Sequence, residues 1–436
     1  MSLASTSFMI LSSILVLFMT PGLAFFYGGL VSKRNVVNTM LSVFFICGLA
    51  VLLWFMVGYS LSFSGDHFGV IGNLKMAFHQ HFDMSAMTAT TTKIPDGLFS
   101  IFEMMFAIIT PALFVGAIVG RMKFNFLFIF LIIWSILIYY PMVHLVWSAG
   151  GIFYKMGALD FAGGTVVHID AGITALVLSI FLGHRVDYKE PEHYNLPWVM
   201  LGTTILWIGW YGFNAGSAFG VSGVAVQATF TTTIATASAM ITWMLIDMVR
   251  KGKPSLVGVC TGTLCGLVAI TPACGFVTLT GAFWIGIAGT CVSYFFVNFL
   301  KPRLKVDDTL DAFGCHGVSG IVGSLATGLF ATKSVNSAVA HNGLFYGGGF
   351  HQFGVQLAVT AFTIVFVAIM VSVIVVIMKV FVPMRVSEKE ERLGLDLGEH
   401  GESADYVVAD QYNRKDVDIF RKEFAGQLAN LNKRPD

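Results

Sequence analysis

Apolar residues run along this chain in blocks of about twenty, the length of helix that crosses a hydrocarbon layer. Polar residues gather in the gaps between the blocks. The blocks fall at residues 7–31, 39–63, 98–119, 126–148, 163–183, 196–214, 223–249, 255–274, 279–300, 311–331 and 352–382, which predicts eleven transmembrane helices. The text turns polar after the last block, so 1–383 is expected to form a transmembrane domain and 384–436 a tail. No Lys or Arg precedes the first block, as one would in a secretory leader, and it is expected to be a permanent span.

Composition sharpens the picture. Of 436 residues, 56% are hydrophobic and only 12% charged, against about a quarter charged in soluble domains, so the chain is an all-α polytopic membrane protein. The net charge of +1 gives no reason to expect a nucleic-acid partner. Cys47, Cys260, Cys265, Cys274, Cys291 and Cys315 fall in or beside apolar segments, form no metal-type spacing and are expected to be buried thiols. No metal, cofactor or enzymatic role is expected.

Loop charge sets the orientation. Loops after odd-numbered spans hold Lys33, Arg34, Arg121, Lys123, Arg185, Lys189, Arg250, Lys251, Lys253, Lys301, Arg303 and Lys305; loops after even-numbered spans hold only Lys75, Lys93, Lys155 and Lys333. The positive-inside rule then puts the N-terminus outside and the tail in the cytoplasm. Eleven spans divide as five plus five plus one, and an odd number per half makes the second half an inverted repeat of the first. An internal match supports the division. His168 begins H-I-D-A-G-I in span five and His316 begins H-G-V-S-G-I in span ten.

Ionisable groups inside a membrane are costly and usually functional, so two histidines at repeat-related positions mark the expected site. A lone intramembrane histidine can instead simply bond a carbonyl on a neighbouring helix. Distance is an obstacle. Each lies about five residues into its span from opposite faces, which leaves the pair roughly 15 Å apart unless the spans begin deep or tilt.

The motifs FFYGGLV (25–31), FAIITPAL (106–113), VWSAGG (146–151), DFAGGTVVH (160–168), WYGFNAGSAFG (210–220) and DAFGCHGVSGIVG (311–323) resemble those of the ammonium transporters of the Amt/Mep/Rh family, on the bacterial Amt side. The resemblance runs from span one to about Tyr406. It implies that His168 and His316 face one another in a narrow hydrophobic pore. It also implies an outer recruitment site at Phe102, Trp147 and Ser217, with Asp160 shaping the vestibule, and a phenyl gate at Phe106 and Phe213. The physics agrees: aromatic faces attract cations, and a serine oxygen accepts from ammonium N–H groups that potassium lacks. Ordinary interface packing is the other reading of Phe102 and Trp147, and a helix cap is the first reading of Asp160.

The implied mechanism recruits ammonium outside, removes its proton near the gate, passes ammonia through the pore and carries the proton along His168 and His316. The alternatives are passive ammonia conduction and an ammonium sensor that moves little substrate. Axial haem ligation by the two histidines is the rival from another class, and Trp147 with Ser217 argues against an Rh-type member. The resemblance further implies uptake of ammonium or ammonia, with methylammonium as an alternative substrate. It places a homotrimer in the inner (cytoplasmic) membrane, with a P-II family regulator docking at the cytoplasmic face. In the tail it assigns regulation to Gly394, Asp396, His400, Gly401, Glu402 and Tyr406 and contact with a neighbouring subunit. Beyond Tyr406, Val417, Phe420, Phe424, Leu428 and Leu431 recur at helical spacing, an amphipathic helix over about 415–432.

Two carboxylates depart from the family pattern, which commonly has Gln at Glu103 and Asn or Ser at Asp170. Asp170 lies about 200° round the helix from His168 and is expected to point away from the pore, either bonded to a neighbouring helix or protonated as a second proton site. Glu103 is expected to be a vestibule charge, exposed or serving to concentrate cations.

Overall fold

The computed structural model describes residues 2–90, 94–186 and 193–405; Tyr406 and the amphipathic stretch at 415–432 lie outside the described residues. Eleven helices follow the eleven apolar blocks, with ends displaced by about a turn or less. They are α1 (Leu3–Leu30), α2 (Val36–Leu53, continuing through Trp54–Gly58 to Tyr59–Phe63), α3 (Asp96–Ile118), α4 (Phe124–Trp134, continuing through Ser135–Tyr139 to Tyr140–Trp147), α5 (Gly164–Ile169 and Asp170–Leu182), α6 (Leu196–Gly216), α7 (Gly223–Lys251), α8 (Leu256–Ile270), α9 (Leu279–Phe295, continuing through Phe296–Leu300 to Lys301–Leu304), α10 (Phe313–Val318 and Ser319–Phe330) and α11 (His351–Phe381). Among the described residues nine of these are long and apolar enough to cross a membrane; α8, with 15 residues, and α6, rich in Trp and Gly, are the two others.

Starts are set by short polar side chains. Ser2, Asn195, Ser222, Ser255 and Thr278 each accept a first-turn backbone N–H at the heads of α1, α6, α7, α8 and α9, satisfying amides that have no partner within the helix. The two halves interlock through equivalent members. The first helix of each, α1 and α6, pack along their lengths, and the last of each, α5 and α10, cross at their starts.

That crossing depends on glycine. A Cβ at Gly172 of α5 would strike the backbone of Gly317 in α10, and one at Gly320 of α10 would press on the Gly164 carbonyl and the His168 side chain. Each of these glycines stands four residues after a histidine, in the shared pattern H-x-x-x-G-I. The missing side chains let two backbones approach as small residues do in membrane interfaces.

After α11 the tail returns along the face where the loop charges predict cytoplasm. A short helix, α12 (Glu388–Leu393), carries a full capping box between Ser387 and Glu390. Glu391 accepts from the Val186 amide at 2.6 Å and pairs with Arg385 at 2.7 Å. Asp396 accepts from the Asn38 amide at 2.8 Å at the head of α2, and His400 bonds the Asn38 side chain at 2.9 Å while its ring abuts Phe124. Gly394 and Gly401 adopt positive φ, +98° and +67°, at the two bends that this path needs. Glu402 is exposed.

Gly172→Val is expected to destabilise the fold by roughly 1–3 kcal/mol through overpacking against Gly317. A lower thermal midpoint in detergent or lipid, with Gly172→Ala intermediate, checks it.

Candidate functional site

The two histidines meet. Their rings are stacked with centroids 5.4 Å apart and planes 12° from parallel, so the 15 Å obtained by counting residues does not hold. The reason lies in how α5 and α10 begin. Each starts with π-helical turns, Gly164–Ile169 and Phe313–Val318, entered from irregular backbone already inside the protein. The His168 amide bonds the Gly163 carbonyl five residues back, at 3.0 Å, the wider turn that often marks functional positions in helices. Depth is therefore gained by non-helical chain before the helix starts.

A helix that starts in a dry interior needs partners for its first amides. Asp160 supplies them for α5, accepting from Gly163, Thr165 and Val166 at 3.0, 3.0 and 3.2 Å. Asp308 does the same for α10, accepting from Ala312 and Phe313 at 2.9 and 2.8 Å. Each aspartate precedes its histidine by eight residues. Sequence reasoning found the capping reading of Asp160 and missed Asp308, although D-x₇-H at 160–168 and 308–316 was present to be read.

Above the histidines the aromatic rings form a column. Phe106 and Phe213 lie 4.3 Å apart between centroids, Trp147 meets Phe106 edge-on at 5.7 Å, and Phe213 is 5.9 Å from His168. Trp210 stacks flat on His168 at 5.3 Å, held by an Nε1 hydrogen bond to Thr271; it too was missed, though it stands in the motif at 210–220. Phe102 is fully buried against Phe106 and Phe219, so it lies one ring away from Trp147. Trp147 and Ser217 are half-buried. The Trp147 indole donates to the Asp160 carbonyl at 3.1 Å, and the Ser217 hydroxyl donates to the Phe213 carbonyl at 2.8 Å, which leaves its oxygen lone pairs free to accept.

Polar groups below the rings are unsatisfied. Nδ1 and Nε2 of His168 and Nδ1 of His316 have no hydrogen-bond partner and are buried. Buried polar atoms are usually paired, and orphans of this kind point to a transient partner or a missing water. No group of three or more His, Cys, Asp or Glu suited to a metal occurs among the described residues.

Glu103 is not the vestibule charge expected of it. It is only 4% exposed and lies toward Tyr59 of α2 and Tyr139 of α4, because α2 and α4 cover the outward half of α3. Asp170 is fully buried and neither oxygen has a partner, so it forms no bond to a neighbouring helix.

The sequence matches the family model described as Ammonium Transporter Family over residues 7–405. An ammonium transporter of Bacillus subtilis is 44% identical over 404 residues, 93% of this chain and 99% of that one. The crystal structure of Saccharomyces cerevisiae Mep2 superposes with a TM-score of 0.82 at 33% identity, covering 88% of each chain. A solved structure described as a sensor Amt protein gives 0.83 at 27% identity over 91% of this chain and 98% of that one. With the match spanning nearly the whole chain and the fold superposing on solved members over most of its length, the protein belongs to the ammonium transporter family.

Proposed function

We propose that the protein takes up ammonium through a path formed by the column from Trp147 to His316, with net movement of charge. The observation that carries this reading is the stacked imidazole pair, with unpartnered nitrogens, directly beneath two phenyl rings in contact. A bare ion in such surroundings costs several kcal/mol even after relaxation, so the phenyl pair favours neutral ammonia. Ammonium is drawn to the Trp147 face and the Ser217 oxygen, gives up its proton near Phe106 and Phe213, and crosses as ammonia. The proton passes between His168 and His316, each neutral imidazole offering one N–H and one acceptor nitrogen. Asp160 positions His168 by fixing the start of α5, and Asp308 positions His316 in the same way.

In this reading the membrane domain is 1–383 and the regulatory tail 384–436. The N-terminus is outside and the tail is in the cytoplasm of a cell whose inner membrane holds the protein as a homotrimer. The docked tail, with Asp396 and His400 on α2, is the surface that a P-II regulator would sense. The solved relative described as a sensor favours a second reading, in which the same site detects ammonium and moves little of it.

Ammonium pulses on proteoliposomes adsorbed to a solid-supported membrane decide between the readings. The wild type is expected to give a transient current that sodium and potassium pulses do not. His168→Ala and His316→Ala are each expected to bring it down to the level of empty liposomes. Current unchanged in both variants would remove the relay, and no wild-type current from folded protein would leave passive conduction or sensing. Ser217→Ala is expected to weaken the apparent affinity for ammonium by roughly fivefold, corresponding to one lost hydrogen bond of ~1 kcal/mol, as read from the concentration dependence of the current.

A further inference from the structure

Glu103 and Asp170 have no part in the path described above, yet the fold brings them to one place. α3, which carries Glu103, packs on α5, which carries Asp170, and on the Ser135–Tyr139 stretch of α4. Tyr139 stacks on Trp134, whose indole donates to Thr174, one turn beyond Asp170.

Four buried oxygen atoms here lack a hydrogen-bond partner: Oε2 of Glu103, the hydroxyl of Tyr139 and both oxygens of Asp170. Among the described residues no cationic side chain acts on either carboxyl. The titratable neighbours are phenols, Tyr59 on α2 and Tyr139 with Tyr140 on α4. On the pore side of α5 stand the histidines, and α11, which also packs on α5, carries only His351 and Lys379, at its two ends. Two carboxylates without a counter-charge in a dry membrane interior are far too costly to stand as anions.

We propose that Glu103, Tyr139 and Asp170 form a proton-binding site behind the pore, in which protons on the carboxyls replace the cation that no side chain supplies. A protonated carboxyl gains a donor, and so it can bond the oxygens that now lack partners. The site lies on the backs of the two helices whose fronts carry the gate and the relay. Glu103 is next to Phe102 and three residues before Phe106, and Asp170 is two after His168. It goes beyond the transport reading and does not depend on it.

Infrared spectra of the full-length protein in lipid test the proposal, since a protonated carboxyl has a carbonyl stretch well above the amide band and a carboxylate does not. At neutral pH, the wild-type spectrum minus that of Glu103→Gln/Asp170→Asn is expected to show such a band, sensitive to deuterium exchange, with each single variant losing part of it. No band in that difference would overturn the proposal. Should the double variant fail to fold, wild-type protein carrying ¹³C at its Asp and Glu side-chain carboxyls, compared with each folded single variant, gives the same decision: a shifted band that either single change diminishes supports the site, and a band indifferent to both overturns it. A missing ammonium current in the wild type would count against transport and leave this result standing.

Discussion

Two helices of this protein begin where no water can satisfy them, and the rest of the site depends on how their first amides are answered. A free backbone N–H in hydrocarbon costs several kcal/mol. Asp160 and Asp308 each answer two or more such amides with one carboxyl. This makes it possible for α5 and α10 to be short, to start deep, and to open with π turns that bring a histidine toward the molecule's centre. Without these caps the helices would have to start at the membrane surface, and His168 and His316 would be as far apart as residue counting puts them. The acids are thus structural parts of a site whose chemistry belongs to other residues.

The crossing of α5 and α10 completes what the caps begin. Stacked rings 5.4 Å apart require backbones close enough that no β-carbon fits between Gly172 and Gly317. Trp210 then lies flat on His168 and fixes its plane. Ring position is set by neighbours on α6, α8 and α10, while both nitrogens of His168 and Nδ1 of His316 are left without bonds. Rigid placement with unsatisfied polar atoms is what the proposed proton relay needs, because each bond made in the resting state would have to be broken during transfer.

How far the sequence discloses this differs by feature. Apolar block lengths gave eleven spans, since hydrophobic length is read directly from composition along the chain. H-x-x-x-G-I pointed to the right two histidines, and the glycine in it proved to be the contact that joins them. Depth was not legible. Hydropathy records how long an apolar run is, and says nothing about where along the membrane normal its helix starts, because residues 160–163 and 305–311 enter the protein without helical structure. Asp308 was lost for the same reason: it lies in what reads as a basic loop beside Lys301, Arg303 and Lys305. Glu103 was misplaced because position near a helix end suggests exposure, whereas α2 and α4 rise past that end and cover it.

Aspartate at a helix start recurs once more, with a different covalent arrangement. Asp160 and Asp308 cap the helices that follow them within a few residues, so folding α5 or α10 brings its cap along. Asp396 caps α2 from 358 residues away, its carboxyl accepting the Asn38 amide, and burial raises it to about 6. Such a cap contributes about 1 kcal/mol, and it is joined by the His400–Asn38 bond, the bond from the Phe124 amide to Glu399, and Glu391 on the Val186 amide. The tail is therefore held by several contacts of small individual strength, each made to a backbone or side-chain group that water can satisfy equally well at the membrane surface. An attachment built this way is reversible at little cost to the membrane domain, whereas the two intramembrane caps have no substitute in lipid. The same carboxyl-to-amide bond is thus a fixed element at the heads of α5 and α10 and a releasable one at the tail, and the difference between them is the solvent.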